Sequence, residues 1–278
     1  MSKENPLIIG YLANLAIASE IENAAGKLGF TVAWVASAET LGTAEVRDRP
    51  GEPILGGQTA SLTAQLSDKQ PDLLIFDLDN AAIPATRWIA IIKSSPATRR
   101  IPVLAYGAEG DLKSAEAAQQ AGADAVVTPH QFRSQLPDLI NKHAKRIDYV
   151  AILNACEQPL SDLARQGIEL FNRGDYYEAH HGLEDAWRAD TGPTRDLYRG
   201  ILQVAVAYLQ IERGNYRGAV KMFLRVRQWL DPLPDRCRDV NIAQLRADSQ
   251  AAQAKLKALG PERIKEFDKT YLKPVLLH

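Results

Sequence analysis

The sequence predicts an α/β domain followed by an all-α domain. The first is a doubly wound, five-stranded parallel sheet over residues 1–147. A linker at 148–158 leads to an antiparallel helical bundle over 159–278. Three observations support this. Five short apolar runs alternate with helix-spaced segments in the first half, the pattern of a parallel sheet covered on both faces. From about Pro159 the strand signals stop, and five successive segments carry helical spacing. A chain of 278 residues is also comfortable for two hydrophobic cores.

The first strand is "PLIIGYL" (6–12), and "NLAIASEIENAAGKLG" is a helix ending at Gly29. "FTVAWVAS" is the second strand. Residues 42–59 are rich in Gly, Pro and charge and read as a long loop. "ASLTAQLSDKQ" is a short helix, and "PDLLIFDLDN" a third, buried strand. Pro84 opens the helix "PATRWIAIIKSS". "IPVLAYGA" is the fourth strand, "DLKSAEAAQQAGA" a helix and "DAVVT" the fifth strand. A helix starting near Gln131 closes the domain. Sites in such sheets lie beyond the carboxyl ends of the strands. That selects Tyr11, Asp77, Asp79, Gly107 and Thr128.

"PDLLIFDLDN", "IPVLAYGA" and "AGADAVVTP" together resemble the receiver domain of response regulators, over roughly residues 5–147. The resemblance implies a flavodoxin-like, receiver-type fold with a phosphoacceptor aspartate at Asp77. Three further parts of that family's site are replaced. Tyr11 and Leu12 stand where an acidic pair holds Mg²⁺, Gly107 replaces a hydroxyl residue, and no lysine precedes Pro129. Phosphoryl transfer to a carboxylate needs that metal and cation to offset charge. The expectation is therefore a pseudo-receiver in which Asp77 is a polar strand-end residue that is not phosphorylated.

In the second half, "RGDYYEAHHGLEDAW" and "RGNYRGAVKMFLRVR" echo one another 40 residues apart. Tyr176, Ala179, Leu183 and Ala186 correspond to Tyr216, Ala219, Phe223 and Val226. The spacing differs from the period of about 34 residues in tetratricopeptide repeats. At about 100° per residue, Tyr176, His180, Leu183 and Trp187 share a face, with Glu184 at its edge. His180 would then lie inward, where it and Glu184 could meet Gln203 or Arg199 of the next helix. Glu178, His181 and Asp185 point elsewhere. Three readings stand side by side: a buried polar network, a small-molecule or peptide pocket, and a metal site drawing on Glu178, His180, His181 and Glu184. The network or pocket comprises Tyr176, Glu178, His180, Glu184, Trp187, Arg199 and Gln203.

These blocks, with "LYRGILQVAVAY" between them, resemble a small helical family labelled domain of unknown function 309, over about residues 160–232. The family's pattern centres on positions matching Tyr176, Glu178, His180, Glu184, Trp187, Gly200 and Gln203. The resemblance implies a fold and a site, and no activity.

The net charge of −1 provides no field to recruit nucleic acid or anionic lipid. "LRVRQWL" places Arg225 and Arg227 beside Trp229, too small a basic stripe for nucleic acid. No apolar run is long enough for a membrane span. The opening apolar stretch, interrupted by Asn14, reads as a strand entering a helix, not as a signal peptide. Cys156 and Cys237 match no metal or redox spacing, which points to unpaired thiols in a reducing cytoplasm. The apolar tail "YLKPVLLH" (271–278) is expected to dock, on its own bundle or elsewhere. The resulting expectation is a cytoplasmic, non-catalytic signalling adaptor without a cofactor, acting on a protein partner, a small ligand or a second copy. The alternative is a metal-dependent protein or enzyme with a Glu/His site in the bundle.

Overall fold

The computed structural model describes residues 6–12, 14–41, 58–107 and 110–278. The loop expected at 42–59 lies outside them except for its last two positions. The described chain forms two compact units, one ending at Arg146 and one spanning Ile147–His278. Among the described residues no helix is long and apolar enough to cross a membrane.

In the first unit, β1 (Leu7–Tyr11), β2 (Thr31–Trp34), β3 (Leu73–Asp77), β4 (Val103–Tyr106) and β5 (Ala125–Val127) form a parallel sheet. Its order, β2-β1-β3-β4-β5, is the flavodoxin-like doubly wound order. Helices α1 (Leu15–Lys27), α2 (Gln58–Lys69), α3 (Ala85–Ser94), α4 (Leu112–Gln120), α5 (Pro129–Ser134) and α6 (Leu136–His143) complete it. Side chains alternate along the strands, so two cores form. Ile8, Ile75 and Leu104 pack with Ile21 of α1 and Ile140 of α6. Ile9, Phe76 and Val103 pack on the other face with Leu62 of α2 and Ile89 of α3. The single helix expected after β5 is two short ones. Pro137 lacks an N–H and crowds the preceding turn, so the chain breaks at Gln135.

The second unit contains α7 (Tyr149–Cys156), α8 (Asp162–Asn172), α9 (Tyr176–Ala189), α10 (Asp196–Glu212), α11 (Tyr216–Leu230) and α12 (Ile242–Leu259). A hairpin of β6 (Arg236–Cys237) and β7 (Val240–Asn241) precedes α12. Apolar α10 packs against both α9 and α11. The sequence echo has a structural basis. Each copy begins at a glycine with positive φ, Gly174 (+84°) and Gly214 (+69°), which lets the preceding helix stop. The next residue, Asp175 or Asn215, accepts a hydrogen bond from the N–H of Glu178 or Gly218 and starts the new helix. Both helices bury the same offsets: Ala179, Leu183 and Ala186 in α9, and Ala219, Phe223 and Val226 in α11.

Three features of this unit depart from or sharpen the sequence reading. The segment expected as a linker, 148–158, carries α7, and its Ile152 and Cys156 are buried in the helical core. Cys156 and Cys237 form a disulfide across a separation of 81 residues. This corrects the expectation of unpaired thiols and removes the cysteine argument for a reducing compartment. The fold brings the end of α7 to the β6–β7 hairpin, a proximity that spacing along the chain does not encode. The tail docks on its own unit. Val275 is buried, Asn172 bonds both its N–H (2.7 Å) and its carbonyl (2.9 Å), and Leu277 bridges to Val240.

Candidate functional site

At the carboxyl ends of the parallel strands, Asp77 is buried. Its Oδ1 accepts a hydrogen bond from the Asp79 N–H at 3.0 Å. Burial raises the carboxyl pKa, partly offset by that N–H. The Tyr106 hydroxyl sits beside it without a hydrogen bond of good geometry, and its own pKa is raised by burial and by Asp77. The neighbouring positions are packed. Tyr11 stacks on Phe76 at 4.4 Å and meets Trp88 edge-on, and Leu12 is buried in the opposite core. A Cβ at Gly107 would lie 2.9 Å from Leu78 Cβ, so a hydroxyl side chain there would displace Leu78. Thr128 caps α5, its Oγ1 accepting from the Gln131 N–H while Gln131 bonds back to the Thr128 N–H. A cavity of about 130 Å³ lies beside these strand ends, lined by Leu78, Gly107, Asp111, Thr128 and Gln131.

In the helical unit, the centre of the buried face of α9 is Ala179, Leu183 and Ala186. His180, Glu184 and Trp187 lie half-buried on its flank. The reason is close approach. α8 comes so near at Gly167 that a Cβ there would sit 3.1 Å from the Leu183 backbone nitrogen. Small residues therefore take the contact line, and the larger polar ones fall beside it. Tyr176 is a core residue, edge-on to Phe171 and Tyr208, with its hydroxyl pKa pushed up to about 12 by burial. Glu178, His181 and Asp185 are exposed.

The polar partners differ from those expected. Glu184 pairs with Arg188 on its own helix at 2.8 Å, not with α10. Arg199 instead stacks between two indoles, 4.6 Å from the Trp187 ring and 4.3 Å from the Trp229 ring. Arg195 covers Trp187 as well, at 4.4 Å. Such contacts contribute about 0.5–1 kcal/mol each at partly exposed sites. Gln203 Oε1 and Trp187 Nε1 are buried and make no hydrogen bond among the described residues. Burial, reinforced by the neighbouring charge of His181, lowers the His180 pKa, and Glu184 opposes this. The flank thus offers stacked guanidinium and indole planes, an amide acceptor and a half-buried imidazole. That composition suits recognition of a planar or polar group.

Sequence reading missed Arg195, which stands outside the echoed blocks in the α9–α10 turn. It recognised Trp229 only as a companion of basic residues. A tryptophan at the end of α11 opposite one at the end of α9 was the available signal.

Residues 164–222 match the family model described as Domain of unknown function (DUF309). This stretch carries α8, α9, α10 and the start of α11. An uncharacterized protein of Aquifex aeolicus (strain VF5) is 24% identical over 110 residues, which is 39% of this chain and 33% of that relative. The match therefore spans about a third of the relative's length. Among solved structures, the chain is similar to a phosphorylated cyanobacterial phytochrome response regulator, RcpA. The identity is 18%, covering 50% of this chain and 90% of that one, with a TM-score of 0.37. It is also similar to the magnesium-bound receiver domain of the Pseudomonas aeruginosa sensor histidine kinase PA1611. There the identity is 16%, covering 50% of this chain and 97% of that one, with a TM-score of 0.38.

Proposed function

We propose that the chain is a non-catalytic signalling or regulatory adaptor. Its receiver-like unit does not accept a phosphoryl group, and the Trp187–Arg199 flank of its helical unit binds a protein partner or a small ligand. The packing around Asp77 supports the receiver half of this reading. The stacking of Arg199 between Trp187 and Trp229, beside a Gln203 Oε1 that is unbonded among the described residues, supports the other. Asp79 lies near Asp77, but no acidic pair at the end of β1 joins them to build a Mg²⁺ site. The end of β1 contributes Tyr11 and Leu12, both committed to packing. Gly107 has no room for a hydroxyl side chain, and Thr128 is engaged as a helix cap. Desolvation also disfavours the charged, nucleophilic form of Asp77.

Incubation with acetyl phosphate and Mg²⁺, followed by intact-mass measurement, tests the receiver half of the proposal. The expected result is unmodified protein. A phosphoryl adduct on the wild type that is missing from Asp77→Asn would overturn it.

A further inference from the structure

We propose that His180, His181 and Glu184 form a binding site for a first-row divalent transition metal, with Zn²⁺ the fitting probe. One donor atom from each residue lies within 4.8 Å of the other two. The sequence pattern explains the convergence. Glu184 stands four residues after His180 and three after His181, so on α9 its side chain falls one turn beyond both imidazoles. Ligand bonds of about 2.0–2.1 Å put tetrahedral donors roughly 3.4 Å apart. The donors must therefore close in by at most about 1.4 Å, within the reach of side-chain torsion adjustments.

The chemistry of the set selects the metal. Two imidazoles and one carboxylate suit Zn²⁺, Ni²⁺ or Cu²⁺, whereas Mg²⁺ and Ca²⁺ want all-oxygen shells. His180 is half-buried on the flank of α9, so one side of the site is shielded by protein. His181 is exposed, so the remaining coordination positions open to water. Glu178 and Asp185 lie three residues before and four after His181 and add negative charge on the same side of the helix. One group competes: Arg188 holds Glu184 at 2.8 Å. It is 63% exposed and free to swing away. Glu178, part of the metal set read from sequence, is not in the cluster.

The site shares His180 with the flank proposed to bind a partner, but its test reads metal binding whereas the acetyl phosphate test reads Asp77, so each can fail alone. The test uses full-length protein without a histidine tag, stripped with chelator and titrated with Zn²⁺ against a chromophoric competitor. One equivalent is expected to bind. His181→Ala, at an exposed position that leaves the fold intact, and Glu184→Gln each weaken binding roughly tenfold or more. Arg188→Gln, by releasing Glu184, strengthens it. Co²⁺ loaded in place of Zn²⁺ gives d–d absorption that changes in His181→Ala. The proposal is overturned if the wild type binds no stoichiometric Zn²⁺. It is equally overturned if the His180→Ala/His181→Ala variant, helical by circular dichroism, binds as tightly as the wild type.

Discussion

One substitution made at two glycines should change stability in opposite directions. Replacing glycine by alanine inside a helix gains about 0.8–1.0 kcal/mol in intrinsic propensity. Gly26 in α1 has open space where a methyl group would stand, with no neighbouring atom within 4 Å. Gly26→Ala should therefore stabilise the α/β unit by up to about 1 kcal/mol. Gly200 in α10 is different. Its Cβ would lie 2.2 Å from Leu230 Cδ2 and 2.8 Å from Leu230 Cγ, and Leu230 is fully buried with no solvent to move into. Overpacking of this kind costs about 1–3 kcal/mol, and an overlap this deep belongs at the upper end. After the propensity gain, a net loss of about 1–2 kcal/mol remains for Gly200→Ala. Urea unfolding followed by far-ultraviolet circular dichroism measures both. Removing the obstructing side chain provides an internal check. In a Leu230→Ala background the cost of Gly200→Ala should shrink or reverse, a coupling between contacting residues. If Gly200→Ala alone proves as stable as the wild type, the close approach of α10 and α11 is wrong, and with it the placement of Arg199 beside Trp229.

Other consequences are measurable. By chain entropy, a cross-link spanning 81 residues stabilises the helical unit by at most about 4.5 kcal/mol. Reduction should thus lower its urea midpoint, and two alkylatable thiols in protein never exposed to reductant would contradict the pairing. Asn172→Ala removes both hydrogen bonds to Val275, so it should cost about 1–3 kcal/mol and release the tail to protease. An unchanged cleavage pattern would count against this clamp. His180 should titrate below the ordinary histidine value of about 6.5, because burial disfavours its charged form. The stability it contributes is complete above that value and is lost as pH falls through the lower folded-state pKa. His180→Val should flatten this dependence, and a proton NMR titration placing His180 above 6.5 would reverse the sign.

Much of the architecture was legible in the chain because its cues are local. Continuous apolar runs mark strands buried on both faces, and every strand of the parallel sheet falls within a run read from sequence. Gly174 and Asp175, like Gly214 and Asn215, stop one helix and start the next through interactions that reach only a few residues. Other features depend on distant neighbours. Periodicity alone groups Tyr176, His180, Leu183 and Trp187 on the inner face of α9, the reading made from sequence, although Ala179 and Ala186 fit the same periodicity as companions of Tyr176 and Leu183. The close passage of α8 at Gly167 makes that choice in favour of the small residues, leaving His180 and Trp187 on the flank. The same holds for Cys156 meeting Cys237, and for Arg199 lying between Trp187 and Trp229. Each joins residues from separate segments, and contact between them exists only once the segments have packed.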